Sequence, residues 1–385
     1  MNNLTRRSFV AASSAALAAA AVPLQLRGAA PAAEVLETKV ITPPGWSYCG
    51  WPTVCRRAGG QLVATFSGNR VAHVCPFGQV QMITSDDEGK SWTWPRTLLD
   101  GAIDDRDSGV LETAKGTLLV TTFTSLAYEP TLAKANADKK WAAEKLASWN
   151  AANDRLPAEV RRAELGVWMI RSTDSGLNWS PKYDCLVSSP HGPIQLADGR
   201  LLYAGKDLWR AGERVGVCES KDDGQSWQWL TDIAPRKGDN HAEYHELHAV
   251  ETADGRIVVQ IRNHNKPNDR ETLQCESSDG GKTFSMPQSI GVWGLPSHLL
   301  KLKDGRLVMT YGHRRAPLGN QARVSTDQGR TWSEPIVLSG DGITGDLGYP
   351  STVELSDGTL LTVWYEVMQG SPNSLLRQAK WRLSA

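Results

Sequence analysis

Six glycines, Gly60, Gly116, Gly199, Gly255, Gly305 and Gly358, each sit between two apolar segments, as in "ETADGRIVVQI" and "ELSDGTLLTVW". Nine residues before them the chain has Trp51, Asp107, Pro190, Glu246, Pro296 and Tyr349. Seven to nine residues after them come Lys206, Arg262, His264, His313, Arg314 and Glu366. If the six segments are copies set around one axis, both registers face a common mouth. A phenol, three carboxyls, guanidiniums and imidazoles at one rim are the groups for nucleophilic attack, proton transfer and gripping an anion. Such a mouth suits chemistry on an acidic sugar.

An apolar segment, a Gly turn and another apolar segment read as a β-hairpin. Five of the six hairpins are followed by a second repeat: "SDDEGKSW", "STDSGLNW", "SKDDGQSW", "SSDGGKTF" and "STDQGRTW". From hairpin Gly to box Asp the spacing is 27, 23, 24 and 22 residues in units one, three, four and five. That length fits a four-stranded antiparallel blade, and six units predict a six-bladed, all-β propeller. In such a blade the box falls in the turn between the third and fourth strands. Its Asp and Ser/Thr would bond turn amides, its Gly would permit positive φ, and its Trp would plug between sheets. The box aspartates (Asp87, Asp174, Asp222, Asp279, Asp327) are therefore expected to be structural, on the face away from the mouth. The sixth unit has no box, and "VLETKVI" (35–41) is the candidate strand to complete it.

Unit two is longer, with 58 residues between Gly116 and Asp174. The excess, 125–165, is rich in Ala, Lys, Glu and Leu and reads as two helices broken near Pro157. Lying between the second and third strands of its blade, it should rise on the mouth face, as a lid or wall beside Tyr349 or as a solvated decoration.

The eight-letter box resembles the Asp-box of the sialidase (neuraminidase) superfamily, over roughly residues 46 to 380. The resemblance implies a retaining hydrolase in which a Tyr, deprotonated by a Glu, attacks an anomeric carbon whose carboxylate would repel an anionic nucleophile. Arginines would hold that carboxylate. "YHELHAVETADGRIVVQIR" is similar to the family segment carrying Glu and Arg, implicating Glu246 and Arg262. "DGRLVMTYGHR" implicates Arg314, with Arg315 as fallback, and "GYPSTVELSDGTLLTVWYE" implicates Tyr349 as nucleophile. Two features depart from the family. Its first arginine lies in Arg-Ile-Pro, where this chain has "GWPTV", and its acid lies where "SGNRVAHVCPFGQVQM" (67–82) has no carboxylate. Arg70 or Arg106 are candidates for the missing arginine. Asp107 is the candidate acid, ahead of Asp105 and His73. His191 and His264 are expected as substrate-binding wall residues; histidines without a spacing motif do not call for a metal, and no cofactor is expected.

Lys+Arg and Asp+Glu both number 42, which gives no reason to expect a nucleic-acid or membrane partner. The partner expected is an acidic glycan. "TRRSFV", an Ala-rich run and "RGAAPAA" read as a twin-arginine-type export signal over residues 1–33, cleaved after Ala30 or Ala33. The mature propeller would span 34–385. The six cysteines form no C-x-x-C pair and are expected to be mostly buried thiols. Two further readings stay open: a glycosidase or lyase acting on uronate polysaccharides, and a non-catalytic carbohydrate-binding propeller.

Overall fold

A computed structural model describes residues 33–43, 45–210, 213–266 and 268–384, so the signal reading falls outside it apart from Ala33. Each Gly turn joins two antiparallel strands, and the hairpins grow into six separate sheets. Blade 1 is Tyr48–Arg56, Leu62–Arg70, Gln79–Ser85 and Arg96–Leu99. Blade 2 begins with a split inner strand, Asp104–Arg106 and Val110–Glu112, followed by Leu118–Ser125, Val167–Ser172 and Tyr183–Asp184. Blade 3 runs from Ile194–Gln195 to Gln228–Asp232, blade 4 from Tyr244–Glu251 to Gln288–Trp293, and blade 5 from Ser297–Lys301 to Ile336–Ser339. Blade 6 is Leu347–Glu354, Leu360–Val367 and Ser374–Leu383, and its fourth strand is Ala33–Val40, antiparallel to the C-terminal strand. The strand expected from "VLETKVI" thus closes the ring.

Apolar clusters span neighbouring blades. One joins Trp51, Val54 and Phe66 of blade 1 to Val353, Leu361 and Val363 of blade 6. The cysteines behave as expected: among the described residues all six are free, five buried and Cys55 partly so.

The boxes are turn staples. Ser325 Oγ donates to Asp327 Oδ1 (2.7 Å) and accepts from Gly329 N–H (2.8 Å). The two oxygens of Asp327 accept from Thr331 N–H (2.9 Å) and Thr331 Oγ–H (2.6 Å). Asp87, Asp174, Asp222 and Asp279 repeat this pattern. Each box also bonds the hairpin turn of the preceding blade: Arg57 to Ser175, Thr117 to Asp223, Arg200 to Gly280, Arg256 to Gln328, and Ser356 to Glu88. All five therefore share one face with the hairpin turns, and the mouth lies on the other. Asp327→Ala is expected to lower stability by about 1–2 kcal/mol, from lost hydrogen bonds, without changing catalysis. Urea midpoints and turnover of the same variant check both halves; lost turnover in a folded variant would contradict the structural role.

The blade 2 insertion forms three helices rather than two: α1 (Tyr128–Asp138), α2 (Ala143–Asp154) and α3 (Ala158–Ala163). The break at Pro157 was legible, whereas the one after α1 is set by Lys139 in a left-handed conformation (φ 50°). Tyr128, Leu132 and Trp149 pack around Cys75 and against Val74 and Phe77, in the connection between the second and third strands of blade 1. The insertion is thus a buttress for the loop that carries His73.

Candidate active site

In four of the six blades the register nine residues before the glycine is where the inner strand breaks. Trp51 (φ 55°), Asp107 (51°), Glu246 (44°) and Tyr349 (54°) all adopt the left-handed backbone conformation. Strand pairing skips between Gly50 and Thr53, between His245 and His248, and between Gly348 and Ser351. In blade 2 the inner strand is interrupted between Arg106 and Val110. An extra residue at the same place in four blades bends the strand and re-aims one side chain. A non-glycine residue in this conformation costs about 1–3 kcal/mol, so four of them mark a site held against its own strain.

These side chains meet. The Tyr349 hydroxyl donates to Glu246 Oε1 at 2.5 Å, although the two residues lie in blades 6 and 4. Arg262 Nη1 donates to the same hydroxyl at 3.0 Å and also pairs with Glu246 Oε2. Arg262 Nε donates to His264 Nε2 at 2.6 Å. Arg314 donates through Nε and Nη2 to the Leu347 carbonyl (3.0 and 2.8 Å), with Cζ 5.8 Å from the Tyr349 ring centre. Arg262 Nη2 and Arg314 Nη1 have no hydrogen bond among the described residues.

Burial alone would raise the Glu246 pKa, but the Arg262 charge and the bonds from Tyr349 and Arg262 hold it below the ordinary value. Burial, reinforced by the Glu246 charge, raises Tyr349 above the usual phenol range. At rest the proton therefore sits on the phenol and the charge on the carboxylate. Asp107 is pushed up to about 7, first by burial and then by Glu246, against the pull of Arg106, Arg70 and Arg262. Its carboxyl has no hydrogen-bond partner among the described residues, and it lines one cavity with Glu246.

The rest of "DDRDSG" divides into separate tasks. Asp104 receives Arg70 on both oxygens (2.7 and 3.0 Å), and both side chains are fully buried. Arg70 is thus withdrawn into the wall and does not replace the missing arginine. Asp105 caps Gly101 N–H at 2.6 Å and is likewise pushed up to about 7 by burial. Arg106 lies with Cζ 4.5 Å from the Trp51 ring centre, so it reaches the mouth by stacking on the residue that stands at blade 1's register position.

His191 is a second correction. It sits deeper on the axis, buried against His248 and His298, with ring centres 5.3 and 5.1 Å away. Burial holds all three below the ordinary imidazole value, His298 at about 3. Glu366, at the other register, is buried on Trp364 and Arg377. Asp346 carries no signature in the sequence. It accepts from His73 Nδ1 (2.8 Å), Tyr48 (2.9 Å) and Tyr365 (3.2 Å), fixing His73 edge-on to Trp51 at 5.0 Å. Nothing in the pattern around "SGDGITGDLGY" marks that aspartate, because His73 and Tyr48 lie 273 and 298 residues away along the chain.

Six blades, five of them boxed, around this mouth define a sialidase-like propeller. More narrowly, the chain belongs to the BNR repeat-like domain family, whose model matches residues 157–362. Among solved structures it is similar to a protein of unknown function from Dyadobacter fermentans, at 23% identity and TM-score 0.73, covering 92% of this chain and 100% of that one. A Hadza microbial sialidase matches at 16% identity and TM-score 0.64, covering 89% of this chain and 68% of the other. The intramolecular trans-sialidase from Ruminococcus gnavus, solved with oseltamivir carboxylate, matches at 15% and 0.59, covering 89% and 96%. No curated protein matches the chain.

Proposed function

We propose that the protein is an exported, retaining exo-glycosidase that removes a terminal acidic sugar, with Tyr349 and Glu246 as the nucleophilic pair. The observation that carries this is the Tyr349–Glu246–Arg262 contact across the ring. In the first step the Tyr349 oxygen bonds to the anomeric carbon as its proton passes to Glu246 Oε1. Asp107 protonates the departing oxygen, which leaves with the bonding pair. In the second step water, losing a proton to the Asp107 carboxylate, displaces Tyr349, which recovers its proton from Glu246. Two inversions retain the configuration. The open nitrogens of Arg262 and Arg314 would hold the sugar carboxylate, with His264 fixing Arg262 and Arg106 stacked on Trp51. Arg262→Ala or Arg314→Ala should then weaken acidic glycosides about ten- to a hundredfold relative to neutral analogues.

A panel of aryl glycosides, sialosides and uronides included, tests the reading; no turnover of any acidic member would reject it. Glu246 must be ionised and Asp107 protonated, so activity should fall as pH rises through about 7. Asp107→Asn should remove that alkaline limb. It should cost about a hundredfold or more with alkyl leaving groups and much less with activated aryl ones. Equal losses with both would argue against Asp107 as the acid.

Trp51, standing where an arginine would face the carboxylate of a sialoside, favours a second reading: a glycosidase or lyase for uronate polysaccharides. A lyase would release an unsaturated sugar absorbing in the ultraviolet; a hydrolase would not.

A further inference from the structure

Between blades 2, 3 and 4 a cavity of about 170 Å³ joins Asp107 and Glu246 to Lys206, His245 and Ser188. Besides Asp107, three of these groups are not fully engaged. Lys206 is buried at the end of the second strand of blade 3, and its ammonium donates to the Ala242 carbonyl at 2.7 Å. The one carboxylate within 4 Å of it among the described residues is that of Glu213, at 3.8 Å and about half exposed. The Ser188 hydroxyl and the His245 imidazole make no hydrogen bond among the described residues. His245 is held neutral, its pKa lowered to about 4 by burial and then by Lys206.

A buried ammonium with donors to spare and no close counter-ion is costly, and a bound oxyanion relieves that cost. A neutral imidazole and a hydroxyl beside it can each donate one more bond. We infer that this cavity is a subsite for a second oxyanion, a carboxylate or sulfate group on the substrate next to the reacting bond, with Lys206 as its counter-ion. It is distinct from the carboxylate given to Arg262 and Arg314. Its continuity with Asp107 and Glu246 ties it to the substrate, so the inference rests on the reading under Proposed function. The substrate class becomes a glycan in which an acidic sugar adjoins another acidic or sulfated unit.

Calorimetric titration with sodium sulfate and with glucuronate tests this, in an Arg314→Met background that removes the unpaired guanidinium of Arg314 from the mouth. Both anions are expected to bind, about tenfold or more weakly after Lys206→Met, and to be retained by Lys206→Arg. Binding of only one of them would identify the group as sulfate or carboxylate. Binding of neither, or binding indifferent to Lys206→Met, would overturn the inference. If Lys206→Met fails to fold, Ser188→Ala should weaken binding severalfold, and unchanged binding there would also overturn it. Tyr349→Phe should bind the anions as the wild type does. Failure of every glycoside with this binding intact would therefore reject the catalytic reading alone.

Discussion

Tyr349→Phe is expected to fold normally and to hydrolyse glycosides about a thousandfold more slowly, or worse. The phenyl ring keeps its packing on Trp51 and Tyr365, with centres 6.4 and 5.8 Å away, so the mouth retains its shape. The oxygen that would carry the intermediate is gone, and Glu246 has no proton to accept. Glu246→Gln should fall by a similar factor. The double variant should be little worse than either single one, because the pair acts as a unit. Single-turnover kinetics and mass spectrometry of a trapped glycosyl adduct read the result. A Tyr349→Phe protein within tenfold of the wild type would sink the covalent mechanism.

The second large effect concerns stability. Asp104→Ala leaves the Arg70 guanidinium buried with its main counter-charge removed, although Ser67 and the carbonyls of Asp105 and His73 still accept from it. Breaking a buried pair from one side costs about 3–5 kcal/mol. Replacing both residues with apolar ones of similar volume, Arg70→Met with Asp104→Leu, should recover most of that loss. Urea denaturation of the single and double variants checks the pair. A loss below about 1 kcal/mol for Asp104→Ala would mean that the wall does not depend on it.

The propeller was legible because its two repeats are local. A Gly at positive φ and a box whose Ser, Asp and Thr bond within a few residues leave the same letters in each copy. Counting nine residues from the Gly found Trp51, Asp107, Glu246 and Tyr349, since the bulge sits at a constant distance from the turn. The count could not say which partner each side chain meets across the ring. Arg70 looked available to a substrate until Asp104, from the next blade, was seen to hold it. Asp346 was invisible for the same reason. His191 was expected at the wall as a histidine without a spacing motif, yet it stands one residue past the register position and is buried against His248 and His298. The insertion's composition announced helices, but its docking on Val74 and Phe77 depends on shape, which composition does not carry.

The closing strand sets when the mouth is assembled. Ala33 pairs with Leu383, roughly 350 residues away, in the same sheet that presents Tyr349. Contacts so distant along the chain form late, because their loop entropy must be overcome first. A growing polypeptide that has finished blades 1 to 5 already holds Glu246, Arg262 and Asp107, yet lacks the phenol. Tyr349 is delivered by the last blade, and that blade is complete only when the strand Ala33–Val40 clasps the strand Ser374–Leu383. Pairing of these two strands therefore works as a timer, leaving the mouth unfinished until the ring is whole.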